Sequence, residues 1–345
     1  MIELVRGNLL EADAEAIVNT VNCIGYMGKG IALQFKKAFP DNFKAYQKAC
    51  RIKEVRPGRM FIFKTDSLVN PKYIINFPTK RHWRGKSKIE DIKDGLNSLS
   101  KQVIDLKIKT IAIPPLGCGL GGLDWQEVRL MIENDFSIIM DVRVFLYEPL
   151  GTPDARSMPV RTKRPEMTMA RAFFIKLMQR YTRFSYRLTL LEIQKLAYFL
   201  QETGEPLRLK YETGLYGPYA HNLNKVLEIL EGHYIRGYGD TQKPDVEIEL
   251  VPGAVKEADK FLSVQPAMRH SLFRVEELIE GFETPYGMEL LSSIHWIAEK
   301  KDPLSKEDPE KAVAQVLNWN SRKKRIIKPP HIRIAWKRLK ELGWI

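Results

Sequence analysis

Residues 18–32 read V-N-T-V-N-C-I-G-Y-M-G-K-G-I-A, a short β-branched run that ends in Asn19 and Asn22 and opens into a loop spaced by Gly25, Gly28 and Gly30. Few layouts constrain a chain as much. Glycine permits positive φ and a close approach of backbone to ligand. A helix starting near Ile31 would aim unpaired N–H groups and the positive end of its dipole back at the loop. Strand, glycine loop and helix in that order predict an anion cradle at the edge of an α/β sheet.

The pattern extends through the first half. Residues 2–6 and 16–21 read as strands, and Ile31, Phe35 and Phe39 recur at helical spacing until Pro40 stops them. Residues 59–64 and 73–77 are two further strands, and a loop holding Thr79, Lys80, His82 and Trp83 runs on to Ser87, the expected N-cap of the next helix. Ile89, Ile92, Leu96, Leu99 and Val103 line one face of that helix. Residues 108–114 are almost wholly apolar, as a strand buried on both faces requires, and they empty into a second glycine loop, Pro115-Leu116-Gly117-Cys118-Gly119-Leu120-Gly121-Gly122. A helix at 124–135 and a strand at 142–147 complete the half. Strands alternating with helices predict a three-layer α/β/α domain over residues 1–150, with a ligand crevice where the two glycine loops leave their strands.

Several chemistries are disfavoured. Neither loop carries Gly-x-Gly-x-x-Gly with an acidic residue about twenty positions on, and Gly28-Lys29 is followed by Gly30 rather than the Ser or Thr of a P-loop. The three cysteines, Cys23, Cys50 and Cys118, have no metal-ligand spacing, so neither a metal nor a cofactor is predicted. No window approaches eighteen consecutive apolar residues and the first residues lack signal-peptide layout, which predicts a cytoplasmic protein with no membrane partner. The net charge of +13 makes a polyanionic partner plausible, although the cations are spread along the 345 residues.

The second half begins with a proline-broken basic linker, residues 151–166, containing Pro153, Pro159, Arg161, Lys163, Arg164 and Pro165. From 167 to 345 the pattern is α-rich with a small β wing. Helices are expected around Phe173, Leu177 and Tyr181, at 191–200 behind a Thr189/Glu192 capping box, and at 223–230, 254–262, 271–282, 288–300, 309–317 and 331–342. A strand is expected at 207–211, before the turn Gly214-Leu215-Tyr216-Gly217-Pro218-Tyr219. The scattered histidines pair with no ligand set. Glu276, Glu277, Glu280, Glu283 and Glu289 form a local acidic ridge, either a solvated helix face or a protein-docking surface.

The wording Val18-Asn19-Thr20-Val21-Asn22, Gly28-Lys29-Gly30-Ile31-Ala32-Leu33, Asn76-Phe77-Pro78-Thr79-Lys80 and Leu116-Gly117-Cys118-Gly119-Leu120-Gly121 resembles a macrodomain, and most closely the DarG antitoxins. That resemblance covers essentially all of residues 1–150. It implies a DNA ADP-ribosylglycohydrolase, a hydrolase of N-glycosyl bonds that removes ADP-ribose attached by a DarT-type toxin to thymine bases of single-stranded DNA. It further implies that the diphosphate lies on the two glycine loops, so that Asn19, Asn22, Gly28, Lys29, Gly30, Ile31 and residues Leu116, Gly117, Cys118, Gly119, Leu120 and Gly121 bind ADP-ribose. Asn8 and Leu9 would hold adenine, and Lys80 would be the catalytic lysine.

A partly desolvated lysine can attack the anomeric carbon or act as a base, and its ammonium form can instead protonate or stabilise the departing thymine. The plain alternative is a solvated lysine among Lys72, Arg81, Arg84 and Lys86. Thr79, His82 and Trp83 are candidates for base contact, Trp83 by stacking. The wording L-L-E-I-Q-K-L-A-Y-F-L-Q and G-L-Y-G-P-Y-A-H-N-L in the second half is similar to the toxin-binding domain of the same family, and implies toxin capture by the acidic ridge. Three departures stand out. Asn8 replaces the Asp common in macrodomains, the Asn-Ala-Ala-Asn wording and long glycine run of the deacylating branch are absent, and Gly121 stands where related protein glycohydrolases carry an acid that resolves a lysyl intermediate. A non-catalytic ADP-ribose reader, a purely sequestering antitoxin and a hydrolase of ADP-ribosylated protein carboxylates remain the alternatives.

Overall fold

The computed structural model describes residues 1–149, 156–183, 187–239, 246–263 and 269–345. The chain divides into two compact units, Met1–Arg164 with Gly239–Gln242, and Pro165–Tyr238 with Lys243–Ile345.

The first unit is built on strands β1 (Ile2–Val5), β2 (Ala16–Asn22), β3 (Phe61–Lys64), β4 (Tyr73–Lys80), β5 (Thr110–Ile113) and β6 (Arg143–Tyr147), ordered β1-β6-β5-β2-β4-β3 in one sheet. All pairings are parallel except that of the edge strand β3 with β4. Alternation along the strands sends side chains to opposite faces. Val18, Ile75, Phe77, Ile111 and Ile113 pack under α3 (Ile89–Asp105) and α4 (Trp125–Ser137), whereas Ile17, Ile74 and Ala112 pack with Phe35 of α1 (Gly30–Ala38). That is the expected three-layer arrangement. Gly95 lets α3 approach the sheet, since a Cβ there would lie 2.1 Å from the Phe77 ring.

Four details differ from the sequence expectation. Pro40 ends α1 but also starts α2 (Pro40–Arg51), because proline suits the first turn of a helix, where its missing N–H costs nothing. Strand β4 continues through Pro78 to Lys80, so Thr79 and Lys80 sit on a strand end and not in a loop. Proline is tolerated there because Pro78 lies at the irregular end of the β2–β4 ladder. Ser87 does not cap α3. Lys88 precedes the helix, and Ser87 is buried with its N–H donating to the Gly121 carbonyl at 3.1 Å. Of the linker, residues 151–155 lie outside the described residues, and Arg161 folds back on the first unit, its N–H donating to the Lys37 carbonyl and its guanidinium over the Phe39 ring.

The second unit contains α5 (Met169–Thr182), α6 (Leu190–Glu202), α7 (Leu223–Leu230), α8 (Ala254–Ser263), α9 (Arg269–Ile279), α10 (Pro285–Trp296), α11 (Pro309–Asn318), α12 (Ser321–Ile326) and α13 (Pro329–Glu341). The Thr189/Glu192 capping box is present at α6, and α10 runs into a π-type turn at Ile297–Lys301. Residues 207–210 form no strand. The Gln201 side chain takes both main-chain polar groups of Leu209, at 2.6 and 3.1 Å, and Asn222 accepts from the Lys210 N–H, so side chains satisfy a backbone that alternation alone would pair. The β wing is instead β7 (Tyr211–Gly214) with β8 (Gly217–Ala220), plus the short pair β9 (Ile235–Arg236) and β10 (Glu249–Leu250). Among the described residues no helix is long and apolar enough to cross a membrane.

Candidate active site

Because β1, β2, β4 and β5 are parallel, the segments that leave their carboxyl ends gather at one edge of the sheet: the Gly7-Asn8 turn, the first glycine loop, Lys80 and the second glycine loop. The first loop is held by Asn22, whose Oδ1 accepts from the N–H groups of Ile24 and Tyr26 and whose Nδ2 donates to the Tyr26 carbonyl. Tyr46 of α2 donates to the Asn22 carbonyl at 2.5 Å. Gly30 opens α1 at φ +59°, a conformation that disfavours side chains, and its N–H donates to the carbonyl of Gly239, which clusters with this unit. Gly28, Lys29 and Ile31 complete the cradle, with Lys29 as an extended N-cap that gives the helix no side-chain cap bond.

Asn19 lies within β2, behind the first loop. It is fully buried, donates to Asn76 Oδ1 at 3.0 Å, and Asn76 in turn donates to Asn42 Oδ1 at 2.7 Å. These amides tie β2, β4 and α2 together behind the loop, while the buried Asn19 Oδ1 has no hydrogen-bond partner among the described residues. Asn22 likewise spends its amide on the loop itself, and Asn8 spends its on the turn Leu9–Glu11, accepting from Leu10 N–H and donating to Glu11. Leu9 is buried in the core cluster beside that turn.

The second loop descends from Leu116, which is fully buried in the core. Gly117 adopts φ +73°, its carbonyl accepts from Leu123, and the Gly119 carbonyl accepts from Gly122. Gly121 has no room for a side chain: a Cβ there would lie 2.1 Å from the Gly117 carbonyl oxygen and 2.2 Å from Ser87 Oγ. An acid at this position is therefore incompatible with the loop as built. Burial, and then the charge of Asp124, push the Cys118 thiol up to about 12, and burial pushes Cys23 up to about 11, so neither is a nucleophile at neutral pH.

Lys80 joins the loops. Its Nζ donates to the Leu120 carbonyl at 2.6 Å, and its own carbonyl accepts from Cys23 Sγ at 3.4 Å. Partial burial lowers its pKa below the ordinary lysine value, and the positive charge of Lys86 adds to the effect. Thr79 beside it is buried, its hydroxyl 3.5 Å from the Val21 carbonyl, and so supports the strand end.

Downstream, His82 and Trp83 stack at 5.6 Å, Tyr26 of the first loop lies 5.6 Å from Trp83, and the Arg84 guanidinium covers the indole at 4.6 Å. Trp83 is 41 % exposed, so it is a surface platform and not the cap of a buried cluster. Arg81 grips Asp91 through two hydrogen bonds and fixes this turn against α3. A separate cavity of about 630 Å³, lined by Arg56, Pro57, Gly58, Arg59, Asp94 and Asn97, contains none of these residues.

Sequence reasoning missed Tyr26, Asn42, Tyr46, Lys86 and Ser87 as parts of this site. The available signal was polarity inside apolar segments, as at Asn76 in β4, which fitted no binary pattern. In the second unit the acidic ridge is smaller than the sequence suggested. Glu277 and Glu280 are exposed, Glu276 and Glu283 half-buried, and Glu289 is 3 % exposed, paired inside with Arg322 and Lys323 at 2.7 and 2.5 Å. A carboxylate enclosed by two cations offers nothing to a docking partner.

A macro domain family model matches residues 18–132. The chain is 45% identical over 344 residues to a DNA ADP-ribosyl glycohydrolase of Thermus aquaticus, covering 99% of this chain and 94% of that one. It is 40% identical over 354 residues to a DNA ADP-ribosyl glycohydrolase of Mycobacterium tuberculosis, covering 98% and 99%. Among solved structures, the macrodomain of Thermus aquaticus DarG is 52% identical over 43% of this chain and 99% of that chain, with a TM-score of 0.42. With near-complete coverage on both sides at such identity, the chain belongs to the DNA ADP-ribosyl glycohydrolase, or DarG, family.

Proposed function

We propose that this protein removes ADP-ribose from thymidine bases of single-stranded DNA by hydrolysing the N-glycosidic bond, and that it neutralises a DarT-type DNA ADP-ribosyltransferase by binding it. The observation that carries the catalytic half is Lys80, held by the Leu120 carbonyl between the two glycine loops. The loops take the diphosphate, the Asn8 turn takes adenine, and the distal ribose lies against Lys80. Burial and Lys86 favour the neutral amine, which can attack the anomeric carbon. The carbon–nitrogen bond to thymine then breaks with its electron pair leaving on the base, the base takes a proton, and water releases ADP-ribose and restores the amine. In its ammonium form Lys80 instead delivers the proton to the departing base while water attacks directly.

Support for the toxin half is a Thermosipho africanus relative named as a DNA ADP-ribosyl transferase–DNA ADP-ribosyl glycohydrolase fusion protein, 33% identical over 46% of this chain and 45% of that one. Glu276, Glu277, Glu280 and Glu283 are the remaining acidic residues for capture. A non-catalytic reader of ADP-ribose is the second reading, favoured by the absence of an acid at Gly121. Turnover of an ADP-ribosylated thymidine oligonucleotide beside an ADP-ribosylated glutamate peptide, with wild type and Lys80→Ala, tests all of this. The expected result is release from the oligonucleotide alone, lost in Lys80→Ala with ADP-ribose affinity largely kept. Full turnover by Lys80→Ala removes Lys80 from the mechanism, and no turnover by wild type leaves the reader.

A further inference from the structure

The second unit distributes its charge unevenly. From Pro165 to Asn320 the chain holds 19 Lys and Arg against 23 Asp and Glu, whereas residues 321–341 hold nine against a single Glu. Most cations of that segment are engaged within the protein. Arg333 pairs with Glu310, Lys340 with Glu307, Lys337 with Glu341, and Arg338 donates to the carbonyls of Glu277 and Glu280. Lys324, Arg325 and Lys328 differ. All three are exposed, no acidic group lies within ion-pair distance of them among the described residues, and they follow one another across the end of α12 into α13. Two of them complement the carbonyl end of α12, a role for which one cation suffices.

The residues that lead into them, Trp319, Asn320 and Arg322, hold an aromatic surface in place. The tip of the β7–β8 hairpin carries Leu215 and Tyr216, and it is fastened to the α11–α12 junction by Trp319 Nε1 donating to the Gly214 carbonyl at 3.0 Å and Asn320 Nδ2 donating to the Leu215 carbonyl at 3.1 Å. Arg322 lies 4.4 Å over the Tyr216 ring, its guanidinium fixed from behind by Glu289. Tyr216 remains 39 % exposed. A fixed, partly open aromatic ring, followed within a few residues by exposed cations that have no ion-pair partner among the described residues, is a combination that suits single-stranded nucleic acid, with bases stacking and phosphates neutralised.

We propose that Tyr216 and Arg322, with the cations Lys324, Arg325 and Lys328 that follow them along the chain, make a second single-stranded DNA contact carried by the second unit. It rests on the reading of DNA as substrate, but its own test needs no turnover. Binding of unmodified oligothymidine to the full chain is followed by fluorescence anisotropy over a range of salt. Replacing Lys324, Arg325 and Lys328 together by Gln weakens binding and lowers the slope of log affinity against log salt by about 2, at roughly 0.7 per lost phosphate contact. Tyr216→Ala weakens binding about tenfold and leaves the salt slope unchanged. Both variants keep wild-type turnover of ADP-ribosylated thymidine nucleoside and raise KM for the oligonucleotide.

An unchanged affinity and slope in the triple variant overturns the proposal, as does a variant that loses an acidic protein partner while still binding DNA normally. A reduced slope in a protein that turns over no ADP-ribosylated DNA upholds the contact and refutes the proposed reaction instead.

Discussion

Replacing Glu289 by Ala is the sharpest test of how the second unit is held together. The carboxylate accepts from Arg322 at 2.7 and 3.0 Å and from Lys323 at 2.5 Å, and Lys323 is fully buried, with Ser293 Oγ at 2.9 Å and the Trp319 ring at 5.1 Å as further partners. A second buried lysine, Lys195, donates to the Pro218 carbonyl at 2.7 Å, and burial together with the charge of Lys323 pushes it down to about 7. Glu289 is therefore the anion paired directly with the buried Lys323, while Glu192 adds negative charge near Lys195. Removing one partner of a buried ion pair costs about 3–5 kcal/mol because the other charge is stranded. For a unit of this size each kcal/mol lowers Tm by about 2–4 °C, so Glu289→Ala should lower the transition of the second unit by roughly 6–20 °C.

Differential scanning calorimetry of the full chain reads this directly, with the macrodomain transition as internal reference. The double variant Glu289→Leu with Lys323→Met should recover most of the loss, since a hydrophobic replacement of similar volume avoids the stranded charge. An exposed glutamate on a docking ridge would change stability by no more than about 0.5 kcal/mol. A Tm shift below 2 °C in Glu289→Ala would refute the buried cluster.

Lys86→Gln removes a positive charge that helps to lower the pKa of Lys80, so the Lys80 pKa rises. If the neutral amine is the working form, the ascending limb of the pH–rate profile moves to higher pH and the rate at neutral pH falls; if the ammonium works, activity instead extends to higher pH. A profile that does not move dissociates Lys86 from the chemistry. Gly121→Asp restores the acid of related protein glycohydrolases, yet its Cβ would meet Gly117 and Ser87 at 2.1 and 2.2 Å. It should weaken ADP-ribose binding in a calorimetric titration and cost about 1–3 kcal/mol of stability, as overpacking does. Higher turnover by this variant would mean the loop accommodates an acid after all.

The sequence by itself determined the first unit. Two glycine loops leaving apolar strands, with helices at 3.6-residue spacing between them, admit little except an α/β sheet with a crevice at the strand ends, and the structure has that sheet. Local chemistry also carried across in the second unit, where the Thr189/Glu192 capping box and α7 needed only neighbours in sequence. What the tertiary structure alone decided were partnerships between distant residues. Asn19 and Asn22 look alike as amides of one strand, but one donates to Asn76 of the neighbouring strand and the other folds the loop. Glu289 looks like its four acidic neighbours, yet Arg322 and Lys323, more than thirty positions away, draw it inside.

Residues 207–210 alternate like a strand, and Gln201 and Asn222 claim their backbone first. Lys80 lies between these cases: its place at a strand end is local, whereas its lowered pKa depends on burial and on Lys86, and its orientation on a carbonyl forty residues further along the chain. Periodicity and turn chemistry act within a few residues and are written in the sequence. Burial of charge, and the choice among competing hydrogen-bond partners, depend on which distant segments the fold brings together.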